Sequence, residues 1–459
     1  MLYGFIKILM RTTIRAFFRK KEVKGLEHIP AKGPLILVAN HPSTFMDPIV
    51  LAASIKREVY FLGKAEIFKS SFAKWLLPKF NVIPVYRTQD DPSLLHKNKE
   101  TFSKCFEHLK GGGVILIFPE GISLTDRKLK KLKTGTARIA LGAEAENNFT
   151  LGVKIICFGL NYSDQHSFQS DLLINIDEEI NVTNYKEKYE ADSFKAAHKL
   201  TDEIRLRIEK QIVAIEDAEV DKLVKDIETI YKSQLIKDLG YSDKITEHDF
   251  FVTRAISKIV HYYFEKQLER VKKMKQDMEK YFADIDTLHL NDRVFKNFTK
   301  SGSIILNSLF SILYLLVGFP IFIYGVINNY LPFKLPNWLS KTITRLPQFY
   351  GAMTMVIGTF TFLIFYSFQL WLVQHYIHTT WVTLCYLVTL PLSGFFAYFY
   401  GKKFSNLYGR WVIFSLFYNK TNLITSIIST RQHIIDELER GRKEFADANP
   451  DIQLLKTSK

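Results

Sequence analysis

The chain has 459 residues, enough for two or three domains and a full-sized hydrophobic core. Its net charge of +15 suits nucleic acid, an anionic membrane surface or phosphorylated substrates, and two long charge-free stretches in the C-terminal half argue against nucleic acid. Cys105, Cys157 and Cys385 have no metal-ligand spacing and are too scattered for a disulfide framework, so they read as small buried apolar residues in a reducing compartment.

Residues 1–24 read as a basic amphipathic helix lying in a lipid interface. Lys7, Arg11, Arg15 and Arg19 recur at intervals of four, with Leu2, Phe5, Ile6, Leu9 and Phe17 opposite. The same cations interrupt any apolar core that a signal peptide would need. Residues 25–185 alternate apolar runs with helical patterns. Expected strands are Leu35–Ala39, Val59–Leu62, Val82–Tyr86, Val114–Phe118, Val153–Phe158 and Leu172–Ile176, and expected helices include Ser93–Lys110 and Thr136–Glu146. Such alternation predicts an α/β domain with a mainly parallel sheet.

Residues 186–300 are charged and helical, and read as a solvated extension without a catalytic constellation. Ser301–Phe333 and Leu346–Gly401 contain no Asp, Glu, Lys or Arg, and both exceed the roughly 20 residues a spanning helix needs. The region 301–401 is therefore expected to be an α-helical membrane region. The second stretch reads as two spans joined by a turn at His375–Thr380. Basic residues flanking both stretches favour keeping them on the cytoplasmic side, with Gly318-Phe319-Pro320 turning the first stretch into a re-entrant hairpin. Residues 402–459 read as a polar tail carrying a surface helix over Arg431–Phe445.

The chemistry gathers at strand ends. His41 follows the Leu35–Ala39 run, and Asp47 precedes Pro48 and an apolar helical stretch. A histidine can act as general base, and an aspartate on its other ring nitrogen would fix the tautomer. Asp47 is also well placed as a helix N-cap, a role that needs no catalysis. A second histidine–aspartate pair, His166 and Asp171, lies in a polar loop with no further motif after it. About eighty residues beyond His41 comes Phe118-Pro119-Glu120-Gly121, a carboxylate at the end of another apolar strand. The block Asn40-His41-Pro42-Ser43-Thr44-Phe45-Met46-Asp47 and this later tetrapeptide together resemble the glycerolipid, or H-x4-D, acyltransferase superfamily.

The resemblance covers residues 25–185, reaches faintly to about 235, and assigns roles. It implies that His41 deprotonates an acceptor hydroxyl for direct attack on an acyl thioester, oriented by Asp47, with no acyl-enzyme. Phe61-Leu62-Gly63-Lys64-Ala65-Glu66-Ile67-Phe68, leading to Asn81-Val82-Ile83-Pro84-Val85-Tyr86-Arg87, is similar to the second family motif and gives Arg87 the acceptor phosphate. Otherwise a surface ion pair would be the plain reading of Arg87. Glu120 and Gly121 would meet the acceptor's glycerol portion, with Lys64 and Lys133 also assigned to substrate binding. The cationic run from Arg127 to Lys133 is open between a solvated face and an attractor of phosphate. Val153 to Tyr162 lacks the proline usual in bacterial lysophosphatidate enzymes. With Leu160-Asn161-Tyr162 and Phe168-Gln169-Ser170, it is more similar to fungal-type glycerol-3-phosphate/dihydroxyacetone-phosphate acyltransferases.

The implied function is acyl transfer to the sn-1 hydroxyl of glycerol 3-phosphate in phospholipid biosynthesis, with 1-acylglycerol 3-phosphate as the alternative acceptor. No bound cofactor or metal is expected; the cosubstrate would be an acyl-CoA or acyl carrier protein thioester. The expected partners are membrane lipids, acceptor and donor, not nucleic acid, with the catalytic domain on the cytoplasmic face of an integral membrane protein. A non-catalytic membrane scaffold retaining the fold is the rival from another class, and intact His41, Asp47, Arg87 and Glu120 argue against it.

Overall fold

A computed structural model describes residues 2–87, 92–123, 125–242, 245–295, 304–419 and 421–450. The chain forms two compact units, one of residues up to Glu216 together with Ile343–Met355, the other of Asp217–Thr342 and residues from Val356 onward.

In the first unit, in chain order, come α1 (Leu2–Phe17), β1 (Lys20–Lys24), β2 (Leu35–Ala39), α2 (Met46–Ser54), β3 (Tyr60–Lys64), α3 (Ser71–Leu76), β4 (Val82–Val85), α4 (Asn98–Lys110), β5 (Val114–Ile117), α5 (Gly135–Glu146), β6 (Lys154–Tyr162), β7 (Asp171–Asn181), α6 (Lys186–Ala191) and α7 (Ser193–Gln211). The strands make one sheet in the order β1-β7-β6-β2-β5-β3-β4. The run from β6 to β4 is parallel; only β7, antiparallel to β6, and its parallel neighbour β1 run the other way. Strand β2, buried along its whole length, sits at the centre of the seven-stranded sheet. Ile36 and Val38 pack with Ile115, Ile155, Ile139 and Leu200 in the main core, while alternate residues Leu35 and Leu37 face the opposite side.

Three local differences have physical causes. The expected helix over 1–24 stops at Phe17, and Lys20–Lys24 becomes an edge strand on β7. Charged residues are common on edge strands, so composition alone concealed it. Two of the three basic residues on α1 are engaged within the protein: Lys7 donates to the Lys56 and Arg57 carbonyls and Arg11 to that of Ala53; beyond the helix, Arg19 pairs with Asp171. The first unit also runs past residue 185 to Glu216. Helix α7 belongs to it, because Ala196, Ala197, Leu200, Ile204 and Ile208 are buried in the same core as the sheet.

The second unit contains α8 (Ala218–Ile227), α9 (Ser233–Asp238), α10 (Thr246–Lys266), α11 (Leu268–Thr287), α12 (Asp292–Phe295), α13 (Ile304–Ile343), most of α14 (Tyr350–Ile377), α15 (Thr380–Asn419) and α16 (Thr421–Ala448). Helix α16, expected on the surface of a polar tail, is instead a packed element. Its Arg431 is buried, donates to both Asp292 oxygens, and shares that carboxylate with the Tyr281 hydroxyl. Tyr263 bonds the Gly441 carbonyl and Glu444.

Phe310–Ile343, Pro347–Ile377 and Thr380–Gly409 are each long and apolar enough to cross a membrane. Helix α13 passes through Pro320, Pro332 and Pro336 without turning back, in place of the expected re-entrant hairpin. Each proline removes one backbone donor and disturbs one turn, a cost that neighbouring helices can absorb. Tyr366 donates to Asn329, Asn329 donates to the Leu390 carbonyl, and Gln369 donates to the Asn328 carbonyl, which ties α13 to both α14 and α15.

Candidate active site

The carboxyl ends of β2 and β5 place the first site residues. Just past the end of β2, the Asn40 side chain continues the ladder. Its amide donates to the Leu160 carbonyl at 3.0 Å and its oxygen accepts from the Leu160 N–H at 2.7 Å. This double bond to β6 fixes the backbone immediately before His41.

His41 Nδ1 lies 2.8 Å from Asp47 Oδ2. Asp47 is fully buried; Oδ2 also accepts from the Ser43 N–H and Oδ1 from the Tyr162 hydroxyl, both at 2.8 Å. A carboxylate with two other donors can only accept from the imidazole, so Nδ1 carries the proton and Nε2 presents its lone pair. Nε2 makes no hydrogen bond to any described residue, and the side chain keeps 19% exposure. The imidazole is stacked on Phe118, with centroids 4.0 Å apart and planes 16° apart. Asp47 is not the N-cap of α2, the alternative reading of this residue. The helix begins at Met46 after Phe45, and the carboxylate turns back to the loop.

The spacing corrects the motif as read from sequence. Five residues, not four, separate His41 from Asp47. Thr44 takes the extra residue in the left-handed region at φ 42, where its N–H donates to Ser123 Oγ at 2.7 Å. The nominal four-residue spacing belongs to His166 and Asp171, which do not pair: Asp171 is engaged with Arg19.

Glu120 joins the two motifs. Oε1 accepts from the His41 N–H at 2.9 Å and Oε2 from the Lys130 N–H at 3.1 Å, in a side chain only 7% exposed. Burial pushes its pKa up, against the pull of those two N–H groups. Gly121 has φ +69, and a Cβ there would lie 3.1 Å from Lys133 Nζ, so glycine suits both the turn and the close approach of the lysine. Arg87 donates to the Gly121 carbonyl. Arg87 and Lys133 thus meet at Gly121, next to the residue that holds His41. Lys64 stands apart. It pairs with Glu66 at 3.1 Å at the end of β3, opposite Val85 in register. In the cationic run, Lys128 pairs with Glu216 and Lys130 with Asp126, leaving that stretch partly neutralised.

Tyr162 is the member sequence reasoning passed over. It is half-buried, and its phenol is held well above the ordinary pKa by desolvation and by Asp47, so it remains a donor. The signal was present, since Tyr162 ends the longest apolar strand and a buried tyrosine hydroxyl needs a partner. Segment Ile343–Met355, part of this unit, reaches the same loop: Phe349 lies 6.2 Å from Phe45, and Thr44 Oγ1 donates to the Gln348 carbonyl.

Comparison with known proteins gives a family match over most of the chain segment that carries these residues. Residues 20–160 match the family model described as Acyltransferase, so this stretch is an acyltransferase-family domain. A chloroplastic 1-acyl-sn-glycerol-3-phosphate acyltransferase of Arabidopsis thaliana is 32% identical over 124 residues, 27% of this chain and 33% of that protein. Glycerol-3-phosphate O-acyltransferase 1 of Saccharomyces cerevisiae is 24% identical over 320 residues, covering 51% of this chain and 42% of the relative. The chain thus spans about a third to two-fifths of the length of these curated relatives. The solved 1-acyl-sn-glycerophosphate acyltransferase of Thermotoga maritima aligns with 46% of this chain and 78% of that one, at 19% identity and a TM-score of 0.33, too low to establish a shared fold by itself.

Proposed function

We propose that this chain is a membrane-bound O-acyltransferase that moves a fatty acyl group from a thioester to the sn-1 hydroxyl of glycerol 3-phosphate. The observation that carries the reading is the single outward lone pair at His41 Nε2, held in its tautomer by Asp47 beside the Arg87–Lys133 pair. An acceptor hydroxyl bonded to Nε2 gives up its proton as its oxygen attacks the thioester carbonyl. Asp47 stabilises the imidazolium so formed, and Tyr162 and Ser43 keep Asp47 in place. The tetrahedral intermediate collapses with loss of the C–S bond. The departing thiolate takes the proton back from Nε2, restoring the resting tautomer. Arg87, with Lys133, holds the acceptor phosphate; guanidinium can bond two phosphate oxygens at once.

In this proposal Glu120 acts mainly on the protein, fixing the His41 backbone, and Gly121 gives room for the cations. Lys64 enters only through its place opposite Val85, two residues before Arg87. The donor is an acyl-CoA or acyl carrier protein thioester, and no cofactor is bound. The membrane region holds the catalytic domain on the cytoplasmic face, beside the lipid product. A second acceptor, 1-acylglycerol 3-phosphate, is favoured by the Arabidopsis relative, whose name specifies it.

Purified full-length protein in micelles, supplied with an acyl thioester and either acceptor, tests the reading. Thiol release should depend on glycerol 3-phosphate and vanish in His41→Ala. Dependence on lysophosphatidate alone would replace the acceptor. Turnover unchanged in His41→Ala would overturn the mechanism.

A further inference from the structure

The connection between β3 and β4 is built unlike the rest of the first unit. It comprises a single helical turn over Ala65–Phe68, then α3, then another turn over Leu77–Phe80, and none of these three elements has a buried residue. Yet the segment is rich in large apolar side chains. Phe72 is 67% exposed, Trp75 58% and Ile67 40%. Apolar side chains contribute to folding by leaving water, at about 25 cal/mol per Å², and here that contribution is left largely unrealised within the chain. An exposed group of this kind marks an interaction surface.

Its charge identifies the partner. From Ile67 to Arg87 there is no acidic residue, and Lys69, Lys74 and Lys79 recur every fifth position among the aromatic side chains. The Lys79 ammonium lies 3.6 Å over the Trp75 ring, and the Phe72 and Trp75 rings are 6.2 Å apart. Tryptophan and lysine side by side suit the headgroup level of a bilayer, where the ring is half-immersed and the cation meets lipid phosphate. A second copy of the same patch would bring like charges together. The patch also continues onto α1, which packs against residues 77–80 and exposes Phe5 and Ile8, each by 65%.

We propose that residues 65–80 are a lipid-contacting element of the catalytic domain, seating Ile67, Phe72 and Trp75 in the interface of an anionic membrane with Lys69, Lys74 and Lys79 on its phosphates. The element leaves the sheet directly after Lys64, at the edge where β2 and β5 deliver His41 and Glu120. It therefore brings the rim of the candidate site against the lipid phase. The contact itself does not depend on the reaction; only its benefit to turnover rests on the acyl-transfer reading.

The test uses full-length protein in a Cys385→Ser background, because Cys105 and Cys157 are buried. A spin label is placed at Phe72→Cys and, as reference, at Phe194→Cys, an equally exposed position at 72% next to Asp192. Proteoliposomes of phosphatidylcholine are compared with others containing phosphatidylglycerol. Position 72 should collide more with oxygen than with a water-soluble nickel chelate in the anionic vesicles, and position 194 the reverse. Replacing Lys69, Lys74 and Lys79 by Gln should erase the difference between the two lipid compositions at position 72. A label at 72 as open to the chelate as that at 194 would overturn the proposal. So would a label shielded from both reagents, which would indicate a protein partner or second copy. A lipid-facing label in an inactive protein would keep the surface and remove the enzymatic reading, so the two failures remain separable.

Discussion

Two polar clusters, one in each unit, use similar parts for different ends. Around Asp47, donors from Tyr162, Ser43 and His41 converge on one buried charge, and the chain of bonds ends at His41 Nε2, unbonded among the described residues. Around Asn328 and Asn329 the groups are neutral and mostly bond one another. Tyr366 and Tyr386 donate to the two amide oxygens at 2.6 Å, Asn329 donates to the carbonyls of Gly325 and Leu390, and Asn328 donates to that of Tyr324. The first cluster is ordered and left open at one atom. The second closes on itself apart from Gln369 Oε1, which is buried without a partner among the described residues. Chemistry needs a preorganised group with unused capacity; a brace between apolar helices needs its capacity used up.

The severest test of this contrast is Asp47→Asn. An amide cannot hold the proton on Nδ1 as a carboxylate does, so turnover should fall by roughly 10²–10⁴ while the protein stays folded. Steady-state rates alongside a thermal melt would check it. A variant with near-native turnover would mean the cluster is structural, like its counterpart in the second unit. Arg87→Ala should come next. Loss of a charge-assisted pair to phosphate predicts a KM for glycerol 3-phosphate raised about ten- to a hundredfold, with little change for the acyl donor. Equal effects on both substrates would assign Arg87 to holding the Gly121 turn alone. Tyr162→Phe keeps the ring and removes one donor to a buried carboxylate. It should lower kcat by about tenfold and leave KM for either substrate unchanged.

The two clusters were not equally legible in the sequence. His41, Asp47 and Glu120 lie within short ordered motifs at strand ends, and five of the expected strands overlap parallel members of the sheet. Hydrophobic runs report burial directly, which is why Leu35–Ala39 is legible to the residue. Strand β1 was hidden by its lysines, and Tyr162 by the fact that its partner is 115 positions away. The helical half was harder still. In α16 the helical period was visible, but its buried Arg431 depends on Asp292, a pairing over 139 positions that no local pattern announces. Likewise Gly318-Phe319-Pro320 reads as a hairpin in isolation. Only the bonds from α13 to α14 and α15 supply the reason the helix continues.

Asn329→Leu gives the smallest expected effect on catalysis and isolates the closed cluster. The substitution removes the donor to the Leu390 carbonyl and the acceptor for Tyr366, and leaves a half-buried tyrosine hydroxyl to find another partner. Hydrogen bonds between helices in membrane proteins are modest, about 0.6 kcal/mol on average and at most about 1.7, because the separated helices also find polar partners. The variant should therefore melt a few degrees lower in detergent while its turnover per folded molecule is unchanged. Gly325→Val provides the steric complement. A Cβ at Gly325 would lie 2.3 Å from the Ser393 carbonyl oxygen, so the helices must part, and the thermal shift should exceed that of Asn329→Leu. If either variant lost turnover without losing thermal stability, the cluster would be coupled to the reaction, and the division into an open cluster for chemistry and a closed one for support would fail.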